Sequence, residues 1–168
     1  MMNLHCIRLP FSEINILELK IGDKVLLSGE ILTARDAAHK RIVQLLDGGE
    51  GLPFDLSTTT LFYCGPSPSL SGRACGAIGP TTSSRMDLWT PRLMDAGLRV
   101  MIGKGERSSE VKERIERHGG LYLISIGGAA AYLARRVVSC ETFLWPDLGA
   151  EAIHRLIVKD FPAYVAIV

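Results

Sequence analysis

The spacing of apolar positions changes several times along this chain. Residues 25–34, Val-Leu-Leu-Ser-Gly-Glu-Ile-Leu-Thr-Ala, are β-rich and follow Gly22-Asp23, which predicts a strand over Val25–Ala34, bent at Gly29. The period then lengthens. Ala38, Ile42 and Leu45 recur at helical spacing and predict a helix over Asp36–Leu46, with Asp36 as its N-cap and Gly48-Gly49 as its stop. Short apolar runs predict strands at Leu61–Cys64, Ala74–Ile78 and Val100–Ile102. Ser83–Ala96 reads as a helix interrupted or restarted at Pro91, because proline fits a first turn but not a helix interior. Ser109–His118 has the alternating charges of a solvated helix face and opens on Ser109-x-x-Lys112, a capping box without its acid. Strands at Tyr122–Ser125 and Cys140–Leu144 flank a small-residue helix over Gly128–Arg136. Ile153–Val158 and Tyr164–Val168 close the chain with β-branched residues.

The first half therefore reads as richer in strand and the second as alternating β and α. A mixed α/β fold with a layered sheet, one domain over residues 1–168, is expected. A purely doubly wound sheet is disfavoured, because the early strands are expected to connect through turns.

Composition narrows the choice of partners. With 47% apolar and 22% charged residues the chain can bury a core. Its 19 Lys+Arg against 18 Asp+Glu leave a net charge of +1 with no basic run, which argues against a nucleic-acid partner. The longest uncharged stretch, Leu121–Ala134, falls short of the roughly 20 residues that cross a bilayer and is interrupted by Gly127 and Gly128, so no membrane partner is expected. Glu13 and Glu18 fall where a signal peptide avoids acids, and a cytoplasmic location is expected. Cys6, Cys64, Cys75 and Cys140 have no metal-site spacing, so they are expected to be reduced thiols, with no metal bound by this chain alone.

Three segments carry candidate chemistry, each with a basic residue just after a predicted strand, where α/β proteins build their sites. In Ala34-Arg35-Asp36-Ala37-Ala38-His39 a cation sits at a helix start, uphill unless an anion joins it. His39 is either a surface residue behind a helix cap or a neutral imidazole suited to proton transfer. In Gly79-Pro80-Thr81-Thr82-Ser83-Ser84-Arg85-Met86-Asp87, four hydroxyls and one guanidinium fork could grip a carboxylate or phosphate. Gly103-Lys104-Gly105 is either a plain turn or a close-approach loop presenting a point charge. It is not a P-loop: five residues instead of four separate Gly97 from Gly103, and Gly105 stands where Ser/Thr must bind magnesium. Arg35, Arg85 and Lys104 are expected to converge on a small dianion, with the acids spread over helix faces.

Taken in order, these segments resemble the β subunit of class I, iron-sulfur-dependent fumarate hydratases and L-tartrate dehydratases, equivalent to the C-terminal domain of the single-chain enzymes. Gly22-Asp23-Lys24-Val25, Ser28-Gly29, Tyr63-Cys64-Gly65-Pro66, Thr90-Pro91, Met101-Ile102 and Asp147-Leu148-Gly149-Ala150-Glu151-Ala152 extend the resemblance over nearly the whole chain. It implies a three-layer β/β/α swivelling domain and a hydro-lyase that reversibly hydrates fumarate to (S)-malate. It also implies a partner α subunit whose three cysteines hold a four-iron four-sulfur cluster, with none held by this chain, and a small dicarboxylate substrate. Carried over residue by residue, Arg35, Arg85 and Lys104 hold the dicarboxylate, Thr81 falls on the position proposed to move the proton from carbon, and His39 matches an active-site histidine of the tartrate dehydratase branch. Thr81 and His39 stand unranked, and Asp36 is either a partner of Arg35 or a helix cap. The alternatives are a dehydratase of tartrate or another hydroxy diacid, and a non-catalytic anion-binding module of the same fold. An isolated chain is expected to be able to self-associate through the apolar face meant for its partner.

Overall fold

The computed structural model describes residues 1–168. Seven strands, β1 (Leu4–Arg8), β2 (Lys24–Thr33), β3 (Thr60–Phe62), β4 (Val100–Gly103), β5 (Leu121–Ile124), β6 (Val137–Leu144) and β7 (Ile153–Ile167), form one sheet in the order β1-β2-β3-β4-β5-β7-β6. Strands β1 to β5 pair in parallel. β7 runs antiparallel to β5 and β6, and also to β2 from Lys24↔Tyr164 to Leu32↔Arg155. That extra pairing closes β2, β3, β4, β5 and β7 into a ring, which folds the sheet back over itself as two leaves.

Side-chain alternation along the strands then builds two cores. Phe62, Ile102, Leu121 and Leu123 point between the leaves, with Leu27, Leu156 and Phe161. Their neighbours Leu61, Tyr63, Met101 and Tyr122 point the other way, onto Ile42 of α2 (Asp36–Asp47), Leu93 of α3 (Thr90–Asp95) and Ile115 of α4 (Ser109–His118). The result is the three-layer β/β/α arrangement expected of this mixed α/β chain.

Several local expectations hold and several do not. The Ser109–His118 helix forms as predicted, though its N-cap is Ser108, whose Oγ accepts the Val111 N–H. The bend at Gly29 is a register shift against β7, where φ of +135° and a Cβ position only 2.9 Å from Leu9 Cβ require glycine. Asp36 is not an N-cap: Arg35 takes that position in extended conformation with no side-chain cap bond, and Asp36 opens the first turn. The segment Ser83–Ala96 splits into a 3-10 turn, Ser83–Met86, and α3, with Pro91 in its first turn. Ala74–Ile78 forms no strand, and Gly128–Arg136 shrinks to α5 (Ala130–Ala134).

The expected turn connections between early strands are also overturned. β1 reaches β2 through α1 (Glu13–Glu18), and β2 reaches β3 through α2, so these pairs run parallel. No helix is long and apolar enough to cross a membrane.

Candidate active site

The carboxyl ends of β2, β3 and β4 lie side by side, and the loop around Thr81 crosses them. Thr81 N–H donates to the Tyr63 carbonyl at 2.7 Å, and Ser83 N–H donates to the Lys104 carbonyl at 3.0 Å. Thr82 pairs with Lys104 as a parallel bridge. The backbone thereby fixes Thr81, Arg85 and Lys104 to one another. Gly103 is required for this approach, since a Cβ there would overlap Ser83 Oγ and stand 2.8 Å from the Tyr63 ring. Gly65 plays the same part beside Arg35, where a Cβ would meet the Ala150 carbonyl at 2.8 Å and Arg35 Cδ at 3.1 Å.

Two carboxylates join this group, contrary to the expectation that acids stay on helix faces. Asp36 binds Arg85 with both oxygens, at 2.7 Å to Nη2 and 3.2 Å to Nε. Arg85 Nη1 also donates to Thr81 Oγ1 at 3.5 Å. Arg35 Nε lies 3.4 Å from Glu151 and 3.9 Å from Asp36, within ion-pair range of both. Neither contact has hydrogen-bond geometry, and this buried Nε is left without a partner. The Lys104 side chain is exposed. Three cations and two carboxylates leave one net positive charge on an open surface, with a guanidinium N–H unsatisfied.

His39 does not share that surface. It is fully buried on the inner face of α2, its ring 5.3 Å from that of Tyr63 and 6.1 Å from that of Trp89. Its Nδ1 lies 2.8 Å from the Arg35 carbonyl, which can only accept, so Nδ1 carries the hydrogen and the buried Nε2 is an unpartnered lone pair. Burial lowers its pKa from 6.5 to about 4, aided by Arg107 and opposed by the Arg35 carbonyl and Asp36. Burial thus favours the neutral imidazole, and the surface position that the sequence left open for His39 is not the one observed.

The sequence reading missed a supporting layer beneath these residues. Arg107 has no exposed side-chain surface. Its guanidinium lies between the rings of Tyr63 and Tyr122, at 5.1 and 4.8 Å, and donates to Asp87 at 2.7 Å, Thr90 Oγ1 at 3.0 Å and Tyr63 Oη at 3.1 Å. Burial disfavours its charge, but Tyr63 and Asp87 outweigh that and hold it above the ordinary arginine value. Nothing in the polar run after Lys104 distinguishes this arginine from a surface one. Ser83 and Tyr122 were equally silent, although Ser83 lay inside a hydroxyl run already singled out.

The side chains of this chain do not fit a metal cluster. No three Cys, His, Asp or Glu side chains gather in a metal-holding group. Burial pushes the Cys64 and Cys75 thiols up to about 12 and about 11, the opposite of what a thiolate ligand needs.

A family model described as "Fumarase C-terminus" matches residues 3–168. "Fumarate hydratase class I, aerobic" of Escherichia coli strain K12 is 39% identical over 162 residues, covering 94% of this chain and 30% of that protein. "Fumarate hydratase 2" of Leishmania major is 40% identical over 151 residues, covering 88% of this chain and 26% of that protein. "Putative L(+)-tartrate dehydratase subunit beta" of Methanocaldococcus jannaschii is 38% identical over 158 residues, covering 90% of this chain and 81% of that protein. The chain thus spans less than a third of the two fumarate hydratases and most of the tartrate dehydratase subunit.

Proposed function

This chain belongs to the fumarase C-terminus family, and from that premise we propose that it is the β subunit of a two-chain hydro-lyase that interconverts fumarate and (S)-malate. The observation that carries the proposal is the surface shared by Thr81, Arg85, Lys104 and Arg35. In this reading an α subunit holds the four-iron four-sulfur cluster, and this chain supplies another wall of the site.

Within that scheme this chain holds a substrate carboxylate and handles the proton on carbon. Arg35 and Arg85 offer planar donors and Lys104 a point charge, which together can take one carboxylate with directed hydrogen bonds. In the dehydration direction a proton leaves the carbon next to a carboxylate while hydroxide leaves the neighbouring carbon. Thr81 is the candidate acceptor of that proton. Thr81 can accept it as the alkoxide, which the Arg85 Nη1 donation to Thr81 Oγ1 favours, and gives that proton up to solvent before the next turnover. His39 is buried with its Nδ1 on the Arg35 carbonyl, which supports assigning this proton to Thr81.

Co-expression with a cluster-bearing α chain tests this. The complex is expected to interconvert fumarate and malate, and the chain alone to be inactive; an active lone chain would overturn the two-chain reading. In the complex, Arg85→Ala is expected to raise KM and lower kcat together, by about 100-fold in kcat/KM for a lost charged contact. Unchanged kinetics would remove Arg85 from the site.

The tartrate dehydratase subunit, of which this chain covers 81%, supports a second reading, with tartrate or another hydroxy diacid handled by the same machinery. A panel of dicarboxylates on the complex separates the two.

A further inference from the structure

The backbone of Lys104 is held at both of its polar groups by one residue, Ser83. Ser83 N–H donates to the Lys104 carbonyl at 3.0 Å, and Lys104 N–H donates to Ser83 Oγ at 3.0 Å. Tyr122 Oη lies 2.8 Å from Ser83 Oγ and 2.9 Å from the Gly105 carbonyl. Counting hydrogens orders the chain. The Gly105 carbonyl can only accept, so the single phenolic hydrogen goes there, and the Ser83 hydroxyl hydrogen goes to Tyr122 Oη. Donation therefore runs from Lys104 N–H to Ser83, from Ser83 to Tyr122, and from Tyr122 to the carbonyl of Gly105. It begins on the peptide N–H of Lys104 and ends on the carbonyl of the next residue, Gly105.

We propose that Ser83 and Tyr122 are positioning residues that act through Lys104, fixing its ammonium relative to Thr81 and Arg85, which stand two residues to either side of Ser83. This rests on the hydro-lyase reading above and deepens it. Ser83 and Tyr122 are both buried. Burial pushes the Tyr122 hydroxyl up to about 12, so it stays a donor throughout the working range. Gly103 completes the device: its missing Cβ is the space that Ser83 Oγ fills. A bare Gly-Lys-Gly turn would leave the lysine free to sweep; here the turn is tied on both sides.

A double-mutant cycle and an exchange measurement test the clamp together. In the complex with the cluster-bearing chain, Tyr122→Phe and Ser83→Ala are each expected to raise KM for the dicarboxylate about tenfold, the size of one well-placed hydrogen bond, with a smaller change in kcat. Tyr122→Phe keeps the ring that stacks on Arg107, so the fold is retained. In a Lys104→Met background the same substitutions are expected to change KM less than about twofold, because their effect passes through the missing ammonium. Independently of activity, amide exchange at Lys104 in the Ser83→Ala chain is expected to speed up at least about tenfold, while Met101 and Ile102 keep their protection. Fully additive losses in the Lys104→Met background, or an unchanged Lys104 exchange rate, would overturn the clamp. A wild-type complex that acts on no dicarboxylate would instead sink the proposed function, and the exchange result would still decide the clamp.

Discussion

At His39, burial and hydrogen bonding pull in opposite directions on one proton, and burial wins. The ring has no exposed surface and its pKa falls from 6.5 to about 4. The unfolded chain therefore binds a proton that the folded chain refuses in the window between those two values. Stability falls as pH drops from about 6.5 toward 4 and levels off below it, by about 2 kcal/mol between pH 7 and pH 5 for this group alone. Urea unfolding of the wild-type chain and of His39→Asn at both pH values measures it. Asparagine keeps a donor for the Arg35 carbonyl and does not titrate, so the variant should lose about 2 kcal/mol less on acidification. His154, lowered in the same direction, titrates in both proteins and cancels. Equal pH dependence would show that His39 is free to protonate in the fold. A one-dimensional reading placed His39 four residues after Arg35 on a helix and left open whether it faced outward. Its neighbours Ala38 and Ile42 carried the apolar stripe, and a histidine between them was the only sign that the stripe was wider than its aliphatic members.

Elements were legible where one periodicity ran unbroken, and illegible where two competed. α4 was read to the residue because its charges leave only Val111 and Ile115 to bury. The Ala74–Ile78 run looked like a strand, yet Gly76 lies against the carbonyls of Ser67 and Pro68, which a Cβ would overlap, so the segment is loop packed on loop. Ile153–Val158 and Tyr164–Val168 stood apart in the sequence as two β-branched stretches. The structure carries the strand straight through, with Asp160 at positive φ and its N–H on Ser28 Oγ beside the Gly29 bulge. Long-range pairing supplied what local pattern lacked. The same holds for Arg107, which ties the loop after β4 to the turn before α3 through Asp87, itself bound by Ser108 N–H at 2.6 Å. Breaking a buried pair strands the remaining charge, so Arg107→Met is expected to cost about 3–5 kcal/mol in urea unfolding. A loss below about 1 kcal/mol would mean that Asp87 finds water or another donor. The pairing of Arg107 with Asp87, 20 residues away, left no mark in the local sequence.

For the molecule as a whole, the charge count of the candidate site decides how much it can do alone. Near-neutrality concealed not a purely cationic pocket but a mixed one, where Asp36 and Glu151 already occupy Arg85 and Arg35. One net positive charge on an exposed wall attracts a carboxylate weakly: a single ion pair at about 4 Å in water is worth about 1 kcal/mol and is screened by salt. A dissociation constant of about 1 mM already needs about 4 kcal/mol. Calorimetric titration of the isolated chain with malate is therefore expected to show affinity weaker than about 1 mM, fading further as salt is raised. On the two-chain proposal, adding a cluster-bearing chain should tighten it, because a second wall would expel water from the Arg35, Arg85 and Lys104 contacts and take the second carboxylate. Sub-millimolar binding by the chain alone would mean that these cations form a complete site, and that the two carboxylates beside them yield to the ligand at little cost.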